Sequence, residues 1–185
     1  MKHFFAALLL AATLVTAAPL SAQDNKLGAD FGPEGWGYRI GFPVDWVKVE
    51  PSDYAVVFSG REGTASYNTT VSIQNVRTHD GDDKLAAVTG EMARLEGRMQ
   101  DQTAGLEILT RHPFVYEKNG LKLTGAQLVA EFSRRSNAFR QWIVILPRPK
   151  SPILHVWIFT GPVEDFPRAL PTAKAMLDSF VIKGE

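Results

Sequence analysis

The sequence predicts an α+β domain, an α/β/α sandwich in which a central, mainly antiparallel sheet of about six to eight strands is flanked by helices. Three observations carry this expectation. Segments with period-two alternation run on both sides of one long segment with helical period, and no regular strand–helix alternation of the parallel-sheet kind occurs. Segments 142–146 and 153–159 (Trp-Ile-Val-Ile-Leu and Ile-Leu-His-Val-Trp-Ile-Phe) are apolar on both parities, so both faces of each strand need cover. Two helical stretches, one in mid-chain and one near the C-terminus, are available to supply it.

At 185 residues, 45% hydrophobic and 22% charged, the chain suits one globular domain. Its 20 basic and 20 acidic side chains cancel, which argues against a nucleic-acid partner. The absence of cysteine removes thiolate nucleophiles, redox pairs, Cys-ligated zinc and a lipid-modified cysteine.

The N-terminus reads as an export signal. Lys2 and His3 form a basic start, residues 4–15 are apolar except for Thr13, and Ala18, Ser21 and Ala22 supply small residues for cleavage after Ala22, with Ala18 as the alternative site. The run falls short of the roughly 20 apolar residues that span a bilayer, and Pro19 breaks its end. The expectation is a signal peptide over 1–22, a periplasmic or secreted mature protein without a transmembrane segment, a flexible glycine-rich arm over 23–36, and a single domain over 37–185.

The elements follow in order. Tyr38, Ile40 and Phe42 alternate in a strand that Pro43 stops, and residues 46–49 resume it. Residues 50–53 (Glu-Pro-Ser-Asp) read as a turn, 54–58 as a strand, and 69–77 as a strand with one wet face, because Val71 and Ile73 oppose Thr70, Ser72 and Gln74. Leu85, Val88, Met92, Leu95 and Met99 then make one stripe of a helix over 83–102, capped by Asp82 or Asp83. Two short strands, 106–109 and 114–118, precede Asn119-Gly120, the strongest hairpin turn in the chain. The returning strand, 121–132, moves its apolar parity from Leu121 and Leu123 to Leu128 and Ala130, which suggests a bulge at Gly125. After a turn at 134–137 come the two fully apolar strands. The last helix lies within 162–179, starting near Glu164 or Asp165 and kinked by Pro171, with Phe166, Leu170, Ala173 and Leu177 at helical spacing.

Residues 37–46 (Gly-Tyr-Arg-Ile-Gly-Phe-Pro-Val-Asp-Trp) resemble the opening of PsbP-like domains. The strand around Val71, Ile73 and Val76 is similar to that family's next characteristic strand, and 153–159, Phe166 and 178–181 (Asp-Ser-Phe-Val) resemble its last strand and terminal helix. The resemblance spans 37–182 and rests on the order of short motifs. It implies the same sandwich, and it implies binding more than catalysis, since the family is best known for an extrinsic subunit of the oxygen-evolving complex and for adaptor-like relatives. No metal or partner residue of the family carries over.

Candidate chemistry is sparse. His79, Asp80, Asp82 and Asp83 could hold a hard cation but lack the spacing of a calcium loop. His79, His112 and His155 lack the HxH or HExxH spacing of zinc sites, and His155 reads as a buried hydrogen-bonding residue. Ser59 and Ser66 have no nucleophile-elbow context. Arg134, Arg135 and Arg140 around one hairpin could grip an acidic partner. Trp36, Tyr38, Trp46 and Tyr54 near strand ends could form an exposed aromatic anchor. Together these seven residues are the expected partner-binding set of a non-enzymatic accessory protein of the cell envelope, needing no cofactor and docking a protein partner. The alternatives are a small-ligand or metal carrier with a pocket between helix and sheet, and a hydrolase using His79, Asp80 and Asp82.

Overall fold

A computed structural model describes residues 26–79 and 83–183, so the expected signal peptide, residues 23–25 of the expected arm, Asp80 and Asp82 lie outside the described residues. The chain forms β1 (Leu27–Phe31), β2 (Tyr38–Pro43), β3 (Val47–Ser52), β4 (Ala55–Ser59), β5 (Thr70–Arg77), α1 (Lys84–Gln102), β6 (Ala104–Lys118), β7 (Leu121–Arg134), β8 (Asn137–Pro147), β9 (Ile153–Pro162), α2 (Phe166–Ser179) and β10 (Val181–Ile182). Seven strands make one antiparallel sheet in the order β3-β4-β5-β9-β8-β7-β6, and a smaller sheet has the order β1-β2-β10.

The two segments that are apolar on both parities, β8 and β9, lie at the middle of the large sheet. Ile143, Ile145, Leu154 and Val156 face α1 and pack with Val88, Met92 and Leu95. Val144, Leu146, Trp157 and Phe159 face the other way, onto Phe166, Ala173, Met176 and Leu177 of α2. Each such side chain contributes roughly 1.5–3 kcal/mol by leaving water, so loss of either helix would expose apolar strand surface. Asp83 caps α1 by accepting from the Ala86 amide at 2.9 Å. Helix α2 runs through Pro171, whose missing N–H falls on the exposed side. Its C-terminus is capped from the hairpin opposite, where the Lys118 ammonium donates to the carbonyls of Leu177, Asp178 and Phe180.

Four sequence expectations need correction. Residues 27–36 are not a flexible arm: β1 pairs with β2, and Phe31 and Trp36 enter the core. The β3–β4 turn is Asp53-Tyr54, since Ser52 pairs with Ala55, so Tyr54 belongs to the turn and not to the strand. The two short strands are the single 15-residue β6. Pro113 does not interrupt it, because β6 is an edge strand, where a missing donor can point away from the ladder. Finally, β7 pairs with β8 residue for residue, and the irregularities sit in β6, between Ala104 and Glu107 and between Ile108 and Thr110. The parity change in β7 has another cause. Leu121 and Leu123 pack toward the α2 side, Leu128 and Ala130 toward α1, so the covered face changes along an unbroken strand.

The Asn119-Gly120 turn has φ of 52° and 76°, the positive pair that a two-residue hairpin needs. Gly125 is glycine for a different reason: a Cβ there would lie 2.1 Å from the Ile145 carbonyl oxygen. Gly125→Ala is expected to lower unfolding free energy in urea by about 2 kcal/mol or more, as overpacking does. Gly90→Ala, in mid-helix with open space around it, is expected to raise it by up to about 1 kcal/mol. Equal midpoints for the two variants would contradict this assignment.

Candidate functional site

Three of the four aromatic residues expected to form an exposed anchor lie in the core. Trp36, Tyr38 and Trp46 are 8%, 0% and 5% exposed, whereas Tyr54 is 50% exposed. Trp36 meets Phe31 edge-on at 5.2 Å, and Tyr38 packs against Phe180 at 5.1 Å and His155 at 5.4 Å. The expected exposed aromatic anchor therefore reduces to Tyr54, and the other three serve the core. Burial, and secondarily the Glu50 charge, push the Tyr38 phenol well above the usual tyrosine range. Its hydroxyl has no hydrogen-bond partner among the described residues.

Tyr54 is held at φ 59°, a costly conformation for a bulky residue, with its ring 5.7 Å from that of Trp36. It borders an open depression of about 530 Å³ shared with Glu34, Trp36, Glu50, Ser52 and Asp53. Glu50 is paired with Lys48 at 2.5 Å. The depression is thus acidic, with aromatic rings on one wall.

The arginines divide. Arg134 and Arg135 are exposed at the β7–β8 turn, where Arg135 takes φ 56°. Arg140 is half-buried and engaged. It donates from Nε to Glu131 at 2.7 Å, donates again through Nη2, and lies 5.4 Å over the Phe166 ring. The strand register places Tyr54 and the arginine turn at opposite ends of the sheet. Tyr54 adjoins the end where Asn75 and Arg77 pair with β9, and the arginine turn adjoins the end where Phe139 pairs with Pro162. They cannot form one patch.

The remaining candidates stay apart. His79 and Asp83 flank the undescribed Asp80 and Asp82, His112 is exposed on β6, and His155 is buried in β9. Among the described residues no group of three His, Asp or Glu is close enough to hold a metal ion, and no helix is long and apolar enough to cross a membrane. Ser66 is buried in the turn after β4, 3.3 Å from the Thr64 hydroxyl. His155 does what its buried position suggests: Nδ1 lies 2.7 Å from Asn75 Oδ1, and Asn75 also donates to the Trp36 carbonyl. Burial, aided by Arg148, lowers its pKa to about 3 from 6.5. The unfolded chain therefore binds a proton that the folded one refuses, so this contribution is complete above about pH 6.5 and is lost as pH falls toward 3. Unfolding free energy measured at half-unit steps should drop between pH 6.5 and 5 with a slope of at most about 1.4 kcal/mol per unit. His155→Gln should flatten that interval, and an unchanged slope would contradict the assignment.

Two grooves flank the β6–β7 hairpin, one on each face, where the sequence expected a pocket between helix and sheet only as an alternative and without lining residues. Leu85, Met92, Ala93, Pro113 and Ala126 line the first, about 610 Å³, beside the Arg111–Glu96 ion pair. The second, about 310 Å³, lies between α2 and the sheet, bordered by Val129, Arg140, Trp142, Phe166, Leu170 and Lys174. The available sequence signal for it was the four-residue spacing of Phe166, Leu170 and Lys174, which puts a lysine at the end of an apolar helix row.

No family model and no curated protein matches the chain. Solved structures do match. Cyanobacterial PsbP (CyanoP) from Synechocystis aligns with a TM-score of 0.61 at 11% identity, covering 83% of this chain and 91% of that one. The Ran-binding protein Mog1p of Saccharomyces cerevisiae aligns at 0.55 and 11% identity, over 85% and 96%. LpqN of Mycobacterium tuberculosis, described as involved in cell envelope biogenesis, aligns at 0.54 and 14% identity, over 79% and 83%. With its seven-stranded antiparallel sheet between two helices and its small second sheet, the chain has the PsbP-like fold that these proteins share.

Proposed function

We propose that the chain is an exported, non-enzymatic accessory protein of the cell envelope that docks a protein partner through the end of the sheet carrying Tyr54. One observation carries this reading: a half-exposed tyrosine is held at positive φ against Trp36 on the wall of an acidic depression. Such a backbone costs of order 1–3 kcal/mol and concentrates where a side chain must be presented. A rigid aromatic group beside Glu34 and Asp53 suits a partner surface with basic side chains, through charge and cation–π contact. The exposed Arg134–Arg135 turn at the far end offers a second contact of opposite sign, for an acidic surface.

The leader over 1–22 supports export, and the fold is shared with a Ran-binding protein and with a protein involved in cell envelope biogenesis. Three buried or half-buried polar groups are engaged internally: His155 Nδ1 with Asn75, Arg140 with Glu131, and Glu91 with Arg94. Expressed with its leader in a Gram-negative host, the protein recovered from the periplasm should begin at Gln23 by intact mass. Used as bait on envelope extract, it should retain a protein that a Tyr54→Ala, Asp53→Asn double variant loses by at least tenfold. Retention of the full leader, or identical capture by bait and variant, would contradict the proposal.

A further inference from the structure

We propose that the groove between α2 and the β6–β7 side of the sheet binds a small anionic amphiphile, a carboxylate on an aliphatic chain. This site is separate from the Tyr54 end and does not depend on the docking reading. At about 310 Å³ it lies at the lower limit of ligand-sized pockets. Its walls are apolar: Val129, Trp142 and Leu170 are half-buried, Phe166 is buried, and Leu109 remains 39% exposed at the rim. The one indole donor in the wall is already satisfied, because Trp142 Nε1 donates to Gln127 at 3.1 Å. An apolar chain can therefore enter without stranding a polar group.

The charge around the groove decides what the other end of the ligand must be. Arg140 is neutralised by Glu131, and Arg168 on α2 is neutralised by Asp165. Lys174 is exposed and makes no hydrogen bond or ion pair among the described residues. One uncompensated cation thus stands over an apolar floor, two helical turns along α2 from Phe166. A single anionic head on Lys174 with its chain along Leu170 and Phe166 satisfies both. In the groove on the opposite face the arginine, Arg111, is already paired with Glu96.

The probe is decanoate, titrated into ¹⁵N-labelled mature protein and followed through the indole N–H signals of its four tryptophans, that of Trp142 being assigned with Trp142→Phe. Decanoate should shift the Trp142 indole saturably, and decanol should bind at least tenfold more weakly. Lys174→Glu should weaken decanoate at least tenfold, and Thr110→Trp, which fills the groove from an exposed edge position, should abolish the shift; neither alters the core, and the rest of the spectrum checks this. Tyr54→Ala should bind decanoate normally, which keeps this test independent of partner capture. A Trp142 signal that does not move up to the solubility limit, equal affinity for decanol, unchanged binding by Lys174→Glu, or shifts confined to Met92 and Ala93 would each overturn the proposal.

Discussion

Burial of both faces of β8 and β9 is the constraint from which the rest of the molecule follows. A strand with one apolar face can lie at a wet surface, but one that is apolar on both must be sandwiched. Here α1 covers one face, while α2 and the three-stranded sheet share the other. With no cysteine and no metal cluster among the described residues, this packing carries the fold. A buried polar seam crosses it, where His155 meets Asn75 and Asn75 reaches the Trp36 carbonyl, tying the large sheet to the loop before β2.

The same constraint determines where the protein can act. Helices and the small sheet occupy the faces, so exposed chemistry is left at the strand ends and at the β6–β7 side, where the sheet extends past its cover. Tyr54 and the Arg134–Arg135 turn occupy opposite strand ends. The two grooves lie against the β6–β7 hairpin because neither helix covers that hairpin fully. Val115, 57% exposed in β6, and Leu109 are apolar residues left by the same overhang. The long free edge of β6 is blunted by Pro113 and by its two irregularities, which are features that discourage further strand pairing.

Much of the architecture was legible in the sequence because it depends on local periodicity. The helical stripe of α1, the Asn119-Gly120 turn and the doubly apolar strands all follow from residues close in the chain. What was not legible depends on tertiary cover. Leu27-Gly28-Ala29-Asp30-Phe31 has no strand signature, and it becomes β1 because β2 offers a partner edge. An aromatic at a strand end looks the same whether the fold covers it or not, so Trp36, Tyr38 and Trp46 read as candidate anchors although all three join the core. Likewise the parity change in β7 mimics a bulge, since the sequence cannot say that the covered face switches midway. Arg140 offered no warning of its Glu131 partner, which lies across the ladder in β8–β7 register.

β8 and β9 form the doubly covered middle of the sheet, and native-state hydrogen exchange resolved by residue is the decisive check. Amides of 142–146 and 154–159 should exchange only through global unfolding, with the same protection free energy as the whole domain, while those of β3 and β6 open locally at lower cost. Protection in either central strand no greater than that of β3 would mean that the strand is not sandwiched.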